Sequence, residues 1–207
     1  LSAVPVTVAA EGISGSQDRK AVRELREALR LHDMGMTDRA STMLRDISLR
    51  TGSVDAEGYS VLCDVITAVP GYEIRMDRFL SSRTYSRLVP QIRYQHALNL
   101  FRAGDYKTAS EWLETIKPGQ LYRSGRTEFL FNRAYCNFEN QDYATAYTRF
   151  DEVQKQAFSD YTSPSRYAMG YIKYRENDFA EALKWYEQSS KDGRFASVSN
   201  WYIIECR

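Results

Sequence analysis

One pattern of small and large apolar residues is written three times between Tyr94 and Tyr186, and this repetition constrains the fold more than any other feature. A small residue recurs at positions 97, 134 and 170, so the copies are spaced by 134 − 97 = 37 and 170 − 134 = 36 residues. An alanine follows 12 positions later in each copy, at 109, 146 and 182. Self-similarity at a period of about 20–50 residues is typical of chains whose units stack into a solenoid.

The spacing inside each copy predicts two helices that pack closely. Alanine or glycine at the first small position lets a neighbouring helix approach the backbone, and the later alanine does the same on the second helix. Asp105, Asp142 and Asp178 precede the second helices, where a carboxylate stabilises the positive helix end. Large residues surround the first small position at helical spacing: Tyr94, Leu98, Phe101; Phe131, Tyr135, Phe138; Tyr167, Tyr171, Tyr174.

Weaker copies extend the pattern towards the amino terminus, around Ala28 and around Cys63. In the Cys63 copy, Arg75 stands where the other copies have a small residue, so we expect it to crowd that helix pair. These copies divide the chain into a flexible lead over residues 1–16 and an array of about five repeats over 17–207.

A truncated sixth repeat is expected to open at Ser199, with Cys206 in the small position. Because a solenoid normally needs a polar cap, the apolar residues there predict either a longer protein or a partner that covers this end.

Charge and cysteine content limit the class of protein. The formal net charge of +1 gives no overall field for nucleic acid or membrane. Between Arg75 and Arg102 there are six arginines and one acid, Asp77. We interpret this basic stretch as a solvated basic face or as a binding surface for acidic groups. The three cysteines are far apart and include no CxxC, so neither a disulfide framework nor a zinc site is predicted, and no apolar run is long enough for a membrane span.

Motifs for catalysis are missing from the sequence. The two histidines, His32 and His96, lie in predicted repeat helices, and no HExxH, GxSxG or Walker-type loop occurs. We therefore predict no catalytic residue, no metal site and no cofactor.

The repeat resembles the tetratricopeptide repeat (TPR) family. The resemblance rests on small residues at 97, 134 and 170, aromatics at 106, 143 and 179, alanines at 109, 146 and 182, and large residues at 113, 150 and 186. It implies an all-α fold, a right-handed α-solenoid of antiparallel helix pairs, which acts as a non-enzymatic protein-binding scaffold.

Departures from the usual repeat make the chain similar to bacterial cell-envelope TPR proteins, such as outer-membrane assembly lipoproteins and Tol–Pal partners. The period exceeds about 34 residues, and the proline that often closes a repeat is missing. An extracytoplasmic location, in the periplasm or at the outer membrane, follows as the expectation, with a cytoplasmic location as the alternative. Residues 1–10 are interpreted as the tail of a secretory signal or as an ordinary terminus.

Two interpretations of the first-helix side chains stay open. They pack between repeats as core, or some of them face the concave groove of the array and grip a protein or peptide there. A carbohydrate-binding component of an envelope uptake system, or the docking module of a larger protein, is the alternative function; nucleic acid is not an expected partner. The candidate binding residues are Tyr94, Leu98, Phe101, Arg102, Phe131, Tyr135, Phe138, Tyr167, Tyr171 and Tyr174.

Overall fold

A computed structural model of the chain describes residues 16–207, in which all regular structure is helical. The predicted flexible lead covers residues 1–16; residues 1–15 lie outside the described residues, and Ser16 is the first residue of α1. Eleven α-helices follow one another: α1 Ser16–Asp33, α2 Thr37–Thr51, α3 Val54–Ile66, α4 Tyr72–Ser82, α5 Val89–Arg102, α6 Tyr106–Glu114, α7 Arg126–Glu139, α8 Tyr143–Gln154, α9 Thr162–Arg175, α10 Phe179–Ser189 and α11 Gly193–Glu205. Two short 3-10 turns, Pro118–Gln120 and Arg123–Gly125, connect α6 to α7.

Short turns join the helices in antiparallel pairs, as the sequence predicts for an α-solenoid. The three aspartates in the turns cap the second helices: their Oδ1 atoms accept hydrogen bonds from the backbone N–H groups of Thr108, Thr145 and Glu181, at 3.1, 3.3 and 3.2 Å. The residue before each aspartate, at position 104, 141 or 177, has a positive φ, of 80°, 63° and 61°. The three strong copies thus share one turn conformation as well as one packing pattern.

Burial confirms the role predicted for the small residues. Ala109, Ala134, Ala146 and Ala182 are completely buried. A Cβ atom added to Gly170 would lie only 3.0 Å from the ring of Tyr186 on the paired helix α10.

The chain divides into two compact units, residues 16–99 and 100–207 of the described part. In the first unit, Leu44 and Phe79 are completely buried, and Gly58 lies so close to Phe79 that an added Cβ would approach the ring to 2.8 Å. In the second unit, α7, α8 and α9 enclose a core centred on Phe150 and Met169. None of the helices described in either unit has the length and apolar character needed to cross a bilayer.

Arg75, the large residue at a repeat position that is elsewhere small, forms an ion pair with the partner helix α3, and its predicted crowding of the helix pair stays a prediction. The guanidinium contacts the carboxylate of Asp64, which is almost completely buried on α3. Arg45 donates to the same carboxylate at 3.2 Å, and Ser41 donates to its other oxygen. The buried carboxylate of Asp64 is therefore compensated by two guanidinium groups and a hydroxyl.

The expected start of the last helix is wrong, because α11 begins six residues before Ser199, at Gly193. Asp192 caps α11 by accepting a hydrogen bond from the backbone N–H of Arg194 at 3.0 Å. The link between α10 and α11 contains only three residues, so the register of the strong copies does not continue into this helix.

Candidate functional site

The predicted binding residues differ in their exposure. Leu98 is buried and Tyr94 half-buried on α5, in the first unit, while Arg102 at the last turn of α5 is exposed. The predicted aromatics of the second unit are all half-buried: Phe101, Phe131, Tyr135, Phe138, Tyr167, Tyr171 and Tyr174.

Within the second unit these rings pack on one another from layer to layer. Tyr135 of α7 lies 5.6 Å from Phe101 between ring centroids, and Tyr171 of α9 lies 5.6 Å from Phe138. Tyr202 of α11 extends the same series, with its ring 5.1 Å from that of Tyr174. The helices α7, α9 and α11 therefore each place an aromatic ring against the last aromatic residue of the pattern in the copy before it.

An open cleft of about 380 Å³ lies where the turn between α7 and α8 faces α9. It brings together three of the predicted residues, Phe138, Tyr167 and Tyr171. Three further residues line it that the sequence analysis did not select: Glu139, Gln141 and Tyr143. The site prediction as a whole stays a prediction, and this cleft is where several of its members share one accessible surface.

Charged groups stand at the cleft beside the rings. Arg175, the last residue of α9, lies over the ring of Tyr143 at 4.8 Å and donates to its hydroxyl at 3.0 Å. The same guanidinium is 6.0 Å from the ring centroid of Tyr171. Glu139 is exposed on the α7 side. The cleft therefore offers aromatic surface with a cation and a carboxylate within one site.

The hydroxyls of Tyr167 and of the nearby Tyr135 are protonated at neutral pH. Burial raises the pKa of Tyr167 to about 12. Burial, together with the neighbouring carboxylate of Glu139, also raises the pKa of Tyr135. These groups can donate and accept hydrogen bonds, and they do not supply a nucleophilic phenolate.

Three arginines of the stretch between Arg75 and Arg102 form ion pairs within the first unit. Arg83 donates to Glu57 at 3.2 Å, and Arg87 donates to Asp55 at 3.2 Å. With the Arg75–Asp64 pair, three of the six arginines contact carboxylates of α3. These contacts support neither a free basic face nor a strong surface for acidic partners at those three positions.

Each of the two histidines contacts another side chain of the first unit, Cys63 in one case and Tyr72 in the other. The Sγ atom of Cys63 lies 3.4 Å from Nδ1 of His32, and the hydroxyl of Tyr72 lies 2.8 Å from Nδ1 of His96. Burial raises the pKa of the Cys63 thiol to about 12, so it is not a thiolate at neutral pH. Across the part of the chain that the structure describes, no three His, Cys, Asp or Glu side chains are grouped to hold a metal ion.

The sequence analysis did not select Glu139, Tyr143 and Arg175 because each of them lies at a helix end. Glu139 ends α7, Tyr143 begins α8 and Arg175 ends α9. The available signal was the aspartate followed by an aromatic residue at the start of each second helix of the strong copies, which we used to place the helix start and to support the resemblance, and not to select a binding residue.

Paired helices with buried small residues and shared turns define a TPR-like α-solenoid, so the resemblance found in the sequence is confirmed for the fold. Among solved structures, the chain is similar to MamA of strain AMB-1, with a TM-score of 0.66 and 14% identity over 86% of this chain and 93% of that one. PilF of Pseudomonas aeruginosa gives a TM-score of 0.58 and 16% identity over 93% of this chain and 90% of that one.

A third solved structure is named for its repeats, a putative kinesin light chain of Podospora anserina with nearly identical TPR-like repeats. It gives a TM-score of 0.53 and 14% identity over 82% of this chain and 92% of that one. At these identities the likeness shows the fold. No protein-family model and no curated protein matches the chain.

Proposed function

We propose that the chain is a non-enzymatic scaffold that binds a peptide segment of a partner protein in the cleft between the α7–α8 turn and α9. The observation that carries this proposal is the cleft itself, where Phe138, Tyr143 and Tyr171 meet one cation and one carboxylate. The TPR-like fold supports an interaction role in general terms.

The composition of the cleft is that of a binding hot spot. Tyrosine and arginine are the residue types that contribute most at protein interfaces, since each provides a large contact area and a polar group. The rings are already held by their neighbours, so a ligand loses little free energy in ordering them. The carboxylate of Glu139 and the guanidinium of Arg175 would select the charge pattern of the peptide.

The test is a selection from a displayed random peptide library on the purified chain, followed by calorimetry of the enriched peptides. Glu139→Lys reverses a charge in the cleft without disturbing the core, and we expect it to weaken binding by at least about tenfold. Glu111→Lys is the matched control, since Glu111 is exposed on α6 and does not line the cleft. Failure to enrich any peptide, or equal effects of the two variants, would contradict the proposal.

Carbohydrate is the competing ligand, because tyrosine faces also stack on sugar rings. A glycan array probed with the same protein separates the two functions. Saturable sugar binding that Glu139→Lys abolishes, with no enriched peptide, would reverse the assignment in favour of a carbohydrate-binding component.

An extracytoplasmic location is part of the proposal and rests on the sequence alone. Fractionation of source cells, followed by detection of the native protein with an antibody, tests it. Recovery in the cytoplasm would remove the envelope from the proposed function and leave the scaffold role unaffected.

A further inference from the structure

Large apolar side chains are exposed at the two turns within the helix pairs of the first unit. Two methionines flank the α1–α2 turn, and three branched residues surround the α3–α4 turn. We call this set the edge patch; its members and their exposed fractions are Met34 57%, Met36 41%, Ile66 36%, Val69 40% and Ile74 69%.

The two turns lie at the same edge of the first unit because α1 and α3 end beside each other. His32, in the last turn of α1, has its Nδ1 atom 3.4 Å from Sγ of Cys63, in the last turn of α3. The ring of His32 also meets Tyr59 edge-on, at 5.8 Å between centroids. Met34 follows His32 by two residues and Ile66 follows Cys63 by three, so the α1–α2 and α3–α4 turns both begin at this edge of the first unit.

The turn conformation does not require these apolar residues. Two turns of the second unit match the α1–α2 turn in length and in their left-handed residue but are polar, with Asn140 and Gln141 after α7 and Glu176 and Asn177 after α9. Large apolar side chains clustered on a surface, where the fold does not need them, mark an interaction site. Methionine suits such a site because its flexible side chain adapts to different partners.

Carboxylates surround the edge patch. Asp33, Asp38, Glu73 and Asp77 are exposed beside it, and none has an ion-pair partner among residues 19–207. The nearby bases are Arg39 and Arg78, together with Arg45 and Arg75, which share the single carboxylate of Asp64, so the local formal charge is −5 + 4 = −1. An acidic rim favours a partner with basic residues, and it disfavours an anionic membrane surface.

We propose that the edge patch binds an amphipathic segment of a partner protein, apolar on one side and flanked by lysine or arginine. The apolar side chains of the segment would cover Met36 and Ile74, and its basic residues would pair with the four carboxylates. This surface belongs to the first unit and does not depend on the cleft of the second.

The experiment uses defined probes on the full chain. A fluorescein-labelled helical peptide of leucine and lysine, about 14 residues long and so near the length at which an isolated helix becomes stable, is titrated and followed by anisotropy. A second peptide with glutamate in place of lysine is titrated in parallel. We expect saturable binding of the lysine peptide, weakening with added salt, and no saturable binding of the glutamate peptide.

Two patch variants and one matched control locate the binding. Met36→Ser combined with Ile74→Ser should weaken the lysine peptide by at least about tenfold, and Glu73→Lys by about threefold or more. Leu49→Ser removes a side chain that is 82% exposed on α2 outside the patch, and it should leave affinity unchanged. If Met36→Ser with Ile74→Ser lowers the midpoint of urea unfolding, Met34→Gln is tested in its place as the patch variant.

Three results would overturn the proposal. Equal binding of both peptides would remove the role of the carboxylates. Self-association of the chain that Met36→Ser with Ile74→Ser abolishes would make a second copy the occupant. Binding to phosphatidylglycerol vesicles that competes with the lysine peptide would make a membrane the occupant.

Discussion

Tyr186 and Tyr202 stack with their ring centroids 4.7 Å apart and their planes 5° from parallel, which joins α10 to α11. Tyr186 is completely buried, and its hydroxyl finds no hydrogen-bond partner within the described part of the chain. The ring therefore contributes packing, while the hydroxyl contributes an uncompensated desolvation cost.

Tyr186→Phe is expected to stabilise the second unit, because it removes a buried polar group and keeps the ring. The gain should be about 1 kcal/mol in the free energy of unfolding, measured by urea denaturation. Tyr186→Ala removes the ring as well and should cost about 3–5 kcal/mol. A loss of stability in Tyr186→Phe would show that the hydroxyl is satisfied in solution.

Asp64 on α3 forms ion pairs with Arg45 on α2 and with Arg75 on α4. We expect the two arginines to contribute unequally to the stability of the first unit. Arg75→Met leaves the buried carboxylate with Arg45, whose side chain is half exposed and screened by water. We expect Arg75→Met to cost about 2–4 kcal/mol and Arg45→Met about 1 kcal/mol or less. Equal losses, measured by thermal or urea unfolding, would show that the two arginines share the charge evenly.

The two histidines make the stability of the first unit sensitive to mild acid. Burial lowers the pKa of both His32 and His96 below the ordinary 6.5, although nearby carboxylates partly oppose the shift. Below pH 6.5 the unfolded chain therefore binds more protons than the folded chain, so this contribution is complete above pH 6.5 and is lost as pH falls through the folded pKa.

The free energy of unfolding should fall between pH 7.5 and 5.5 by up to about 1 kcal/mol for each histidine. His32→Gln with His96→Gln should flatten this dependence, as followed by urea unfolding at each pH. A slope that persists in the double variant would assign it to other groups.

Ala146 marks the close approach of α8 to its partner helix. Ala146→Leu should overpack this contact and destabilise the second unit by about 1–3 kcal/mol. Ala144→Leu adds the same atoms to the same helix at an exposed position, so its effect should stay within about 0.5 kcal/mol. An unchanged melting temperature in Ala146→Leu would contradict the packing seen at this alanine.

The sequence predicted the helix pairs of the strong copies because their packing is encoded locally. Small residues at Ala134 and Gly170 and the capping aspartates lie at fixed offsets, so they could be recognised without knowledge of distant contacts. The Asp64 cluster could not be predicted in this way, since its partners lie 19 and 11 residues away and only the fold brings them together.

The candidate site was predictable only in part. The aromatics Phe138, Tyr167 and Tyr171 could be selected by their repeat positions, but their exposure depends on how adjacent layers meet. Glu139 and Arg175 join the cleft because α7 and α9 end at the same edge, which no local pattern specifies.

The lengths of the connections have a consequence for how such a chain can change. Four of the five turns within helix pairs contain three residues, whereas the links between pairs range from two residues to eleven. In a three-residue turn the left-handed residue directly precedes the capping aspartate, as Gln141 precedes Asp142, so an extra residue there would displace one of them. A short tag inserted at 119–124 should therefore leave folding intact, while the same tag at 140–142 should prevent it. Insertions and deletions can accumulate between the repeated units during evolution while the unit itself is preserved.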